Sequence, residues 1–467
     1  MSAPAEDPLA FRVADRLRSE GPWEVFAERL HRFEAHYNGR ELEVLRGPLT
    51  VEGYGVRVFR TRGEVTGTGF QASTDSSSAG VSQSVRDAEE VAARSSFPTR
   101  HVDLPIGGPT RGAPDVLDTA LWDAPEERLQ EYMSALLAPF DALHDVVPSF
   151  GSLRATLAET SVANSAGLRA HYSHTTVGLE LALKAFGGPE GRPPGEYWLN
   201  DEVRRLDPTH AGEQVPQWAQ FARDARVAES PPTGDLAVVL PPDVLSGILP
   251  SVLGYRFSGL ARLRKISPAE GSMVAAPGVS LYDDGTIPWA PGSAPVDDEG
   301  TPTGRLALVE KGATSQLLYD LLHAGAFDLP ATGNGFRGGA VVGRDWLRFS
   351  HDIGLGPTTI ALPAGDAGSD TELVETAGDG IWLQQLGWAV PDALSGAFGG
   401  EMRIGYRIRN GKLAEPLRGG TVGGVVMAPP GEPSLLANIR AVGSRPVLAE
   451  GYHGPSVLVR SLSVAGA

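Results

Sequence analysis

The sequence predicts an α+β fold, with a mixed N-terminal domain over residues 1–230 and a β-rich C-terminal domain over residues 231–467. Three observations predict it. Helical periodicity lies mainly in the first half of the chain. Short β-like runs separated by Gly, Pro and Asp fill the chain from about residue 256 onward. Between the two halves, SPPTGD at 230–235 has the composition of a linker.

The first elements follow from residue spacing and turn chemistry. Residues 9–17 keep helical spacing, and Asp7-Pro8 provides an N-cap carboxylate followed by a proline at the first helical position. Residues 23–37 fit both a strand and a helix, so the sequence leaves this element open. Asn38-Gly39 then predicts a hairpin turn. Apolar spacing further predicts strands at 42–45 and 54–59 and helices at 81–92 and 129–143.

Later elements are marked by alternation and by breaker residues. Residues 168–184 alternate as a strand does, and residues 185–210, rich in Gly, Pro and charge, predict a long excursion. A helix is expected at 214–227, and a helical patch at 244–253 is interrupted by Pro250. Strands are predicted at 236–240, 306–310, 402–408, 423–427 and 456–464.

Composition excludes several functions. The formal net charge of −17 argues against a nucleic-acid binder, which needs basic surface to displace counterions from phosphates. The chain has no cysteine, so it forms no disulfide and no Cys-ligated metal site. No apolar run approaches the roughly 20 residues of a membrane span. The first residues lack a basic segment followed by an apolar one, so we expect no secretory signal and a cytoplasmic protein.

Metal and nucleophile motifs are absent from the sequence. His171 and His174 lie three residues apart in a predicted strand, where they point to opposite faces and cannot easily hold one ion. There is no HExxH or HExxxH pattern, no GxSxG elbow and no phosphate-binding GxxxxGK[ST] loop. Residue patterns alone therefore predict no catalytic centre.

Carboxylates cluster in two places. Asp283-Asp284 lies in YDDGT, and Asp297-Asp298-Glu299 lies in DDEGTPT. Neighbouring acids are able to bind a hard cation or an amine terminus. Aspartates in such segments also form turns by accepting hydrogen bonds from their own backbone. The sequence leaves both interpretations open.

These carboxylates belong to ordered blocks that resemble a known family. GVSLYDDGTIP, VDDEGTPTGRLALVEKGA and LPATGNGFRGG follow one another between residues 278 and 339. Together they closely resemble the TldD/PmbA family, also called the modulator-of-gyrase family. VANSAGLRAHYSHTTVGLELAL (162–183) and RIGYRIRNGKLAEPLRGGTVGG (403–424) are similar to further family segments.

The resemblance implies a particular kind of subunit. In this family one subunit type, TldD, carries HExxxH on a helix and binds zinc through its two histidines and a distant cysteine. A second type, PmbA or TldE, lacks the motif and pairs with the first. The corresponding helix here falls at 247–259, GILPSVLGYRFSG, which contains neither His nor Glu. The resemblance therefore implies a non-catalytic PmbA/TldE-type subunit with no cofactor of its own, whose zinc belongs to a TldD-like partner.

The resemblance also suggests where an extended, unfolded peptide would bind. Carboxylates would hold its amine terminus, and Arg337 its carboxylate or a carbonyl group. The expected substrate-binding residues are Asp297, Asp298, Glu299, Thr301, Thr303, Asn334 and Arg337.

Three alternatives stay open at this stage. In the first alternative, the loops that carry these residues only form turns and a subunit contact and bind no peptide. The chain would instead be a self-sufficient peptidase with a relocated site. Or it would be a homodimeric peptide-binding or regulatory protein. The relocated site would draw on Asp283, Asp284, Asp297, Asp298 and His351.

Overall fold

The computed structural model describes residues 7–107, 114–187, 193–339, 346–387, 389–429 and 431–466. It confirms the predicted α+β class, with helices and strands in the first half and mostly strands in the second. The first-half elements are α1 (Leu9–Arg16), β1 (Trp23–Asn38), β2 (Glu41–Arg62), β3 (Val65–Ser73), α2 (Ser78–Arg94), α3 (Thr119–Asp123), α4 (Pro125–Leu137), β4 (Val146–Asn164), β5 (Arg169–Ala185), β6 (Gly195–Val203) and α5 (Val215–Val227).

The second half contributes two larger sheets and short helices. Its elements are β7 (Gly234–Leu240), α6 (Pro242–Ser246), α7 (Leu249–Arg256), α8 (Gly259–Leu263), β8 (Leu281–Asp284), β9 (Arg305–Glu310), β10 (Ala313–Thr314), α9 (Leu321–Ala326), β11 (Gly335–Arg337), β12 (Ile353–Leu355), β13 (Ile360–Ala361), α10 (Asp370–Ala377), β14 (Gly380–Gly387), β15 (Ala397–Arg409), β16 (Lys412–Leu417), β17 (Thr421–Val425), β18 (Ile439–Val442), β19 (Val447–Ala449), β20 (Tyr452–Gly454) and β21 (Val457–Ala465). The boundary at 230/231 stays a prediction; in the part of the chain that the structure describes, each sheet takes its strands from one side of it.

The first six strands form one antiparallel sheet in the order β3-β2-β1-β4-β5-β6. Its central strand β1 is buried on both faces. Val25 and Ala27 pack with α1 and α2, whereas Phe26 lies on the opposite face against Phe349 of the second half. Because both faces of β1 are covered, apolar and polar residues do not alternate regularly along it. The spacing of residues 23–37 therefore fitted a helix as well as a strand.

The second half is built around a ring of strands. β14, β7, β21, β17 and β15 pair in that order, and β15 pairs back to β14, which closes the ring. A separate six-stranded sheet has the order β10-β9-β8-β13-β20-β19. One hydrophobic core cluster joins the ring, helices α6 and α7 and this second sheet. Helix α7 is thereby held on the ring by its apolar side.

Several predicted elements are corrected. Helix α1 begins at Leu9 after Pro8, and Asp7 makes no cap, because proline at the N-cap leaves no side-chain hydrogen bond there. The strands predicted at 42–45 and 54–59 are one strand, β2. The excursion predicted at 185–210 contains β6, which pairs with β5, while residues 188–192 lie outside the described residues.

Other elements match the prediction. The helices at α2 and α5 and the strands β5, β7 and β9 lie where spacing placed them. The Asn38-Gly39 turn joins β1 to β2, with Gly39 at φ +58°. Pro250 lies in the first turn of α7 and so separates α6 from α7 rather than breaking a single helix.

We expect Gly69→Ala to destabilise the protein, because strand β3 approaches helix α2 closely at this point. A Cβ at Gly69 would lie 1.8 Å from the carbonyl oxygen of Ala88. The expected loss in the free energy of unfolding is about 1–3 kcal/mol, measured by urea denaturation. Gly178→Ala is the matched control, since nothing lies within 4 Å of a Cβ there. Equal stability of the two variants would contradict this account of the packing.

Candidate functional site

The two motif loops predicted from the sequence lie against each other. The Asp298 backbone N–H donates to the Gly335 carbonyl oxygen at 2.9 Å. In return the Gly335 and Arg337 N–H groups donate to the carboxylates of Asp297 and Asp298 at 2.9 and 2.8 Å. The DDEGTPT and TGNGFRG segments are therefore joined side by side by one backbone–backbone hydrogen bond and by two backbone N–H groups that donate to carboxylates.

Asp297 shapes the first of these loops. Its Oδ1 accepts the backbone N–H groups of Glu299 at 3.0 Å and Thr301 at 2.8 Å. This is the aspartate turn that the sequence left open as one interpretation. Burial raises the pKa of Asp297 well above its ordinary value, although the hydrogen bonds from Gly335 and Thr301 oppose this.

An arginine from the first half reaches the loops. Arg57 of β2 pairs with Glu24 of β1 at 3.0 Å, and it also contacts Glu299 closely. Burial alone would lower the pKa of Arg57, but the Glu24 and Glu299 carboxylates outweigh it and hold that pKa above its ordinary value. The guanidinium therefore stays charged inside the protein.

Two arginines from the second half complete the cluster. Arg348 pairs with Glu28 of β1 at 2.6 Å and with Asp298 at 2.9 Å. Arg337 lies 3.5 Å from Glu24 and donates to the His351 carbonyl oxygen at 2.9 Å. We call Arg57, Arg337, Arg348, Glu24, Glu28, Asp298 and Glu299 the interdomain ion cluster.

Small residues on β2 make room for the cluster. Gly55 pairs with Phe26 of β1, and a Cβ there would lie 3.0 Å from the Arg337 guanidinium. A Cβ at Gly53 would lie 2.3 Å from the ring of Phe349. The two glycines thus let the second half approach the sheet directly.

The remaining predicted residues lie beside this cluster. Thr303 donates to the Ala294 carbonyl oxygen, and Thr301 is partly buried. Asn334 donates to Asp283 at 2.6 Å, and Asp283 also accepts from Thr358. Five of the predicted substrate-binding residues are at most 1% exposed, namely Asp297, Asp298, Glu299, Asn334 and Arg337. Their role in holding peptide stays a prediction; within the chain, their side chains contact other residues of the protein.

The sequence offered further acids and histidines as site candidates. One of them, Asp284, accepts hydrogen bonds from Thr286 in its own turn. The His351 side chain is exposed. In HYSH, His171 is exposed and His174 is buried, as expected for residues three apart in a strand. His174 lies between two arginines, with Nδ1 2.7 Å from Arg204 and Nε2 3.5 Å from Arg348.

The residues that the structure describes provide no set of ligands that fits a zinc ion. Helix α7 lies within 247–259, the segment that the sequence resemblance assigns to the zinc-binding helix; it buries Leu249, Pro250, Val252, Leu253 and Gly254 and carries no His, Asp or Glu. Among the described residues there is no group of three or more His, Cys, Asp or Glu side chains arranged to hold a metal. No catalytic step through zinc is therefore assigned to this chain.

A family model described as the PmbA/TldA metallopeptidase C-terminal domain matches residues 233–466, half of the chain. The chain belongs to the TldD/PmbA family. This confirms the resemblance seen in the sequence motifs. The matched part contains α7, both motif loops and the ring of strands.

Curated relatives of this TldD/PmbA protein are matched over part of their length. A metalloprotease of Methanothermobacter thermautotrophicus is 28% identical over 282 residues, which cover 60% of this chain and 56% of the relative. A metalloprotease TldD homolog of Haemophilus influenzae is 28% identical over 198 residues, covering 42% of this chain and 39% of the relative. The matches thus span about half the length of these relatives or less.

Solved structures share the fold over nearly the whole chain. TldE from Thermococcus kodakarensis superposes with a TM-score of 0.77 at 20% identity, covering 98% of this chain and 99% of that one. A candidate modulator of DNA gyrase from Bacteroides thetaiotaomicron gives a TM-score of 0.78 at 15% identity, covering 98% of each chain. This similarity establishes the fold of the TldD/PmbA protein.

Sequence reasoning missed the residues from the first half that pair with the motif loops. Glu24 and Glu28 lie two residues either side of Phe26, so all three share a face of β1. Charged residues on one face of a strand usually face water. The sequence also did not indicate that Arg57 and Arg348 form buried ion pairs, because each arginine lies far from its carboxylate partner in the sequence.

We expect Arg57→Ala to destabilise the protein strongly, because it leaves the buried Glu299 carboxylate without its cation and leaves Glu24 with only the more distant Arg337. The expected loss is about 3–5 kcal/mol, measured by urea denaturation at pH 7. Arg46→Ala is the matched control: it breaks a pair with Glu34 in which Arg46 is 66% exposed, and should cost no more than about 1 kcal/mol. If Arg57→Ala lowers the free energy of unfolding no more than Arg46→Ala does, the ion cluster is not shielded from water.

We expect His174 to make the fold sensitive to acid. Burial, with Arg204 and Arg348, lowers the pKa of His174 well below its ordinary value. The unfolded chain therefore takes up a proton below about pH 6.5 that the folded protein does not, and stability falls as the pH falls. Urea midpoints at pH 7.5 and 5.5 should differ less for His174→Gln than for the native protein. The exposed His171→Gln should keep the native difference, and a His174→Gln protein that also keeps it would contradict the prediction.

Proposed function

We propose that this chain is a non-catalytic, TldE/PmbA-like subunit of a TldD/TldE-type metallopeptidase complex that processes or degrades unfolded peptides. The observation that carries the proposal is helix α7, which lies in the matched family domain but presents no zinc ligand and no general base. The absence of cysteine from the chain removes a third ligand independently. Membership of a metallopeptidase family without these residues favours a supporting subunit.

Zinc, when bound in the TldD-like partner, would supply a metal-bound water of lowered pKa. The part left to this chain is to bind and orient peptide. An extended peptide is held largely through its main chain, so such binding tolerates many side chains. The residues predicted to contact it are Asp297, Asp298, Glu299, Thr301, Thr303, Asn334 and Arg337.

A self-sufficient peptidase is the first alternative, and it would rely on Asp283, Asp284, Asp297, Asp298 and His351. The contacts argue against it. Asp298 accepts from Arg348 and Arg337, and Asp283 from Asn334 and Thr358, so both carboxylates are already hydrogen-bonded within the protein and are poorly placed to act as a metal ligand or a general base. Replacing Asp298 would break an ion pair as well as any catalytic group, so loss of activity in such a variant would not identify a catalyst.

A homodimeric peptide-binding or regulatory protein is the second alternative, and the oligomeric state of the isolated chain tests it. Cytoplasmic location also belongs to the proposal. Within the described parts of the chain, no helix combines the length and apolar character needed to cross a bilayer.

We expect the purified chain to bind zinc only substoichiometrically and to leave unfolded peptides intact. Mixed with a TldD-like protein that carries HExxxH, it should form a complex that hydrolyses them. The measurements are metal analysis, size-exclusion chromatography with light scattering, and peptide hydrolysis. A partner whose HExxxH glutamate is replaced by glutamine is the control, since it should pair without hydrolysis. Stoichiometric zinc in the isolated chain, or hydrolysis by it alone, would overturn the proposal.

A further inference from the structure

A cavity of about 380 Å³ is lined by residues of helices α6, α7 and α8 and of several segments distant from them in sequence. That volume is in the range of sites that bind small molecules or single side chains. It is distinct from the interdomain ion cluster, with which it shares no residue. Its walls are Ser246, Gly247, Pro250, Ser251, Gly254, Tyr255, Ser258, Leu260, Gly339, Leu355, Pro357, Ala393 and Glu450.

The cavity walls are mostly apolar and closely packed. Pro250 and Gly254 of α7 lie four residues apart, on one face of the helix. A Cβ at Gly254 would lie 2.4 Å from Pro357, so α7 and the 355–357 segment meet closely. The walls thus offer a narrow apolar surface on which an unbranched aliphatic chain would pack.

One carboxylate gives the cavity its charge. Glu450 lines it from the turn between β19 and β20, and within the described residues no basic side chain forms an ion pair with it. Burial raises the pKa of Glu450, and the Asp243 carboxylate raises it further. The Glu450 backbone has φ +41°, a conformation that a residue other than glycine rarely adopts. The fold therefore holds an acidic side chain at the cavity in a strained turn.

Two further acids, Asp243 and Asp201, interact electrostatically with the Glu450 carboxylate. Burial, Asp243 and Glu450 together raise the pKa of Asp201 to about 7. Carboxylates that disfavour one another's ionisation form a site where an incoming cation is stabilised. A net charge of −17 on the whole chain acts in the same direction at longer range.

Exposed apolar residues lie close in sequence to one residue of the cavity wall. Ala393 lines the cavity, and the neighbouring Leu394 and Val390 are 56% and 75% exposed. The Arg256 guanidinium donates to the Leu394 carbonyl oxygen at 3.0 Å, which fastens this loop to α7. An apolar border beside an acidic cavity is complementary to a segment that carries a basic residue next to apolar ones.

We propose that this cavity binds a lysine or arginine side chain of an extended peptide. The aliphatic stem lies against Pro250, Gly254 and Pro357, and the cationic head pairs with Glu450. The inference rests on the proposed peptide-handling function and gives it a sequence preference: a basic residue with an apolar neighbour. Its proposed contacts, Pro250, Gly254, Pro357 and Glu450, lie outside the DDEGTPT and TGNGFRG loops and outside the ion cluster.

The test measures binding of fluorescent hexapeptides to the full chain by anisotropy at low salt. The peptides differ at one position, which is lysine, norleucine or glutamate, with leucine next to it. We expect the lysine peptide to bind about tenfold more tightly than the norleucine peptide, since a charge-assisted contact is worth that much. Glu450→Gln should remove this preference and keep the binding of the norleucine peptide.

Two variants control for charge and for space. Glu432→Gln removes one exposed negative charge from a turn outside the cavity and should leave the lysine preference intact. Ser251→Trp places a large ring in the cavity from an exposed helical position and should weaken both the lysine and the norleucine peptides at least tenfold. Unfolding midpoints verify that both variants are folded.

Several outcomes would overturn the inference. Equal binding of lysine and norleucine peptides, an unchanged preference in Glu450→Gln, or no measurable binding of any peptide would each do so. Loss of pairing with the TldD-like subunit in Glu450→Gln and Ser251→Trp, with peptide binding unchanged, would instead assign the cavity to the subunit contact. Failure of the native chain to pair with that subunit contradicts the proposed function, and it is measured separately from peptide binding.

Discussion

The fold depends on keeping several charges paired in a place that water does not reach. Arg57, with Glu24, belongs to the first half of the chain, and Glu299 belongs to the second. In a second pair across the two halves, the arginine, Arg348, comes from the second half and the carboxylate, Glu28, from the first. Because removing one partner leaves the other buried and uncompensated, each half supplies charges that the other needs. The cluster therefore favours a single arrangement of the two halves over the many that apolar contact alone would permit.

This constraint gives the motif loops a structural meaning. The DDEGTPT loop presents a carboxylate to each half of the protein, Glu299 to Arg57 and Asp298 to Arg348, while Asp297 sets the turn that aims them. The DDEGTPT loop is also bound to the start of α9, since Glu299 accepts the Leu321 N–H at 2.9 Å. Any surface that the second half offers to a peptide or partner is thus built on this internal scaffold.

Local patterns predicted the elements that local forces determine. Helices α2 and α5 have one apolar face and polar residues opposite, so their spacing identified them. Strand β1 was ambiguous because distant residues cover its second face. The pairs Glu28–Arg348 and Arg57–Glu299 are separated by 320 and 242 residues, so no local signal announces them. The motif loops were found through family resemblance, whereas the cavity on α7 is lined from several separate segments and had no sequence signal.

The closed ring of strands limits how the second half can engage an extended chain. β14, β7, β21, β17 and β15 satisfy one another's main-chain groups around the ring, so these strands present little backbone for an added strand. β19 is different: it ends its sheet, with β20 on one side and no strand on the other in the part of the chain that the structure describes. Val447 on this strand is also half exposed, and Glu450 follows directly after it. An edge strand of the second half, which is able to pair with an added strand, is therefore followed directly by the acidic residue of the cavity.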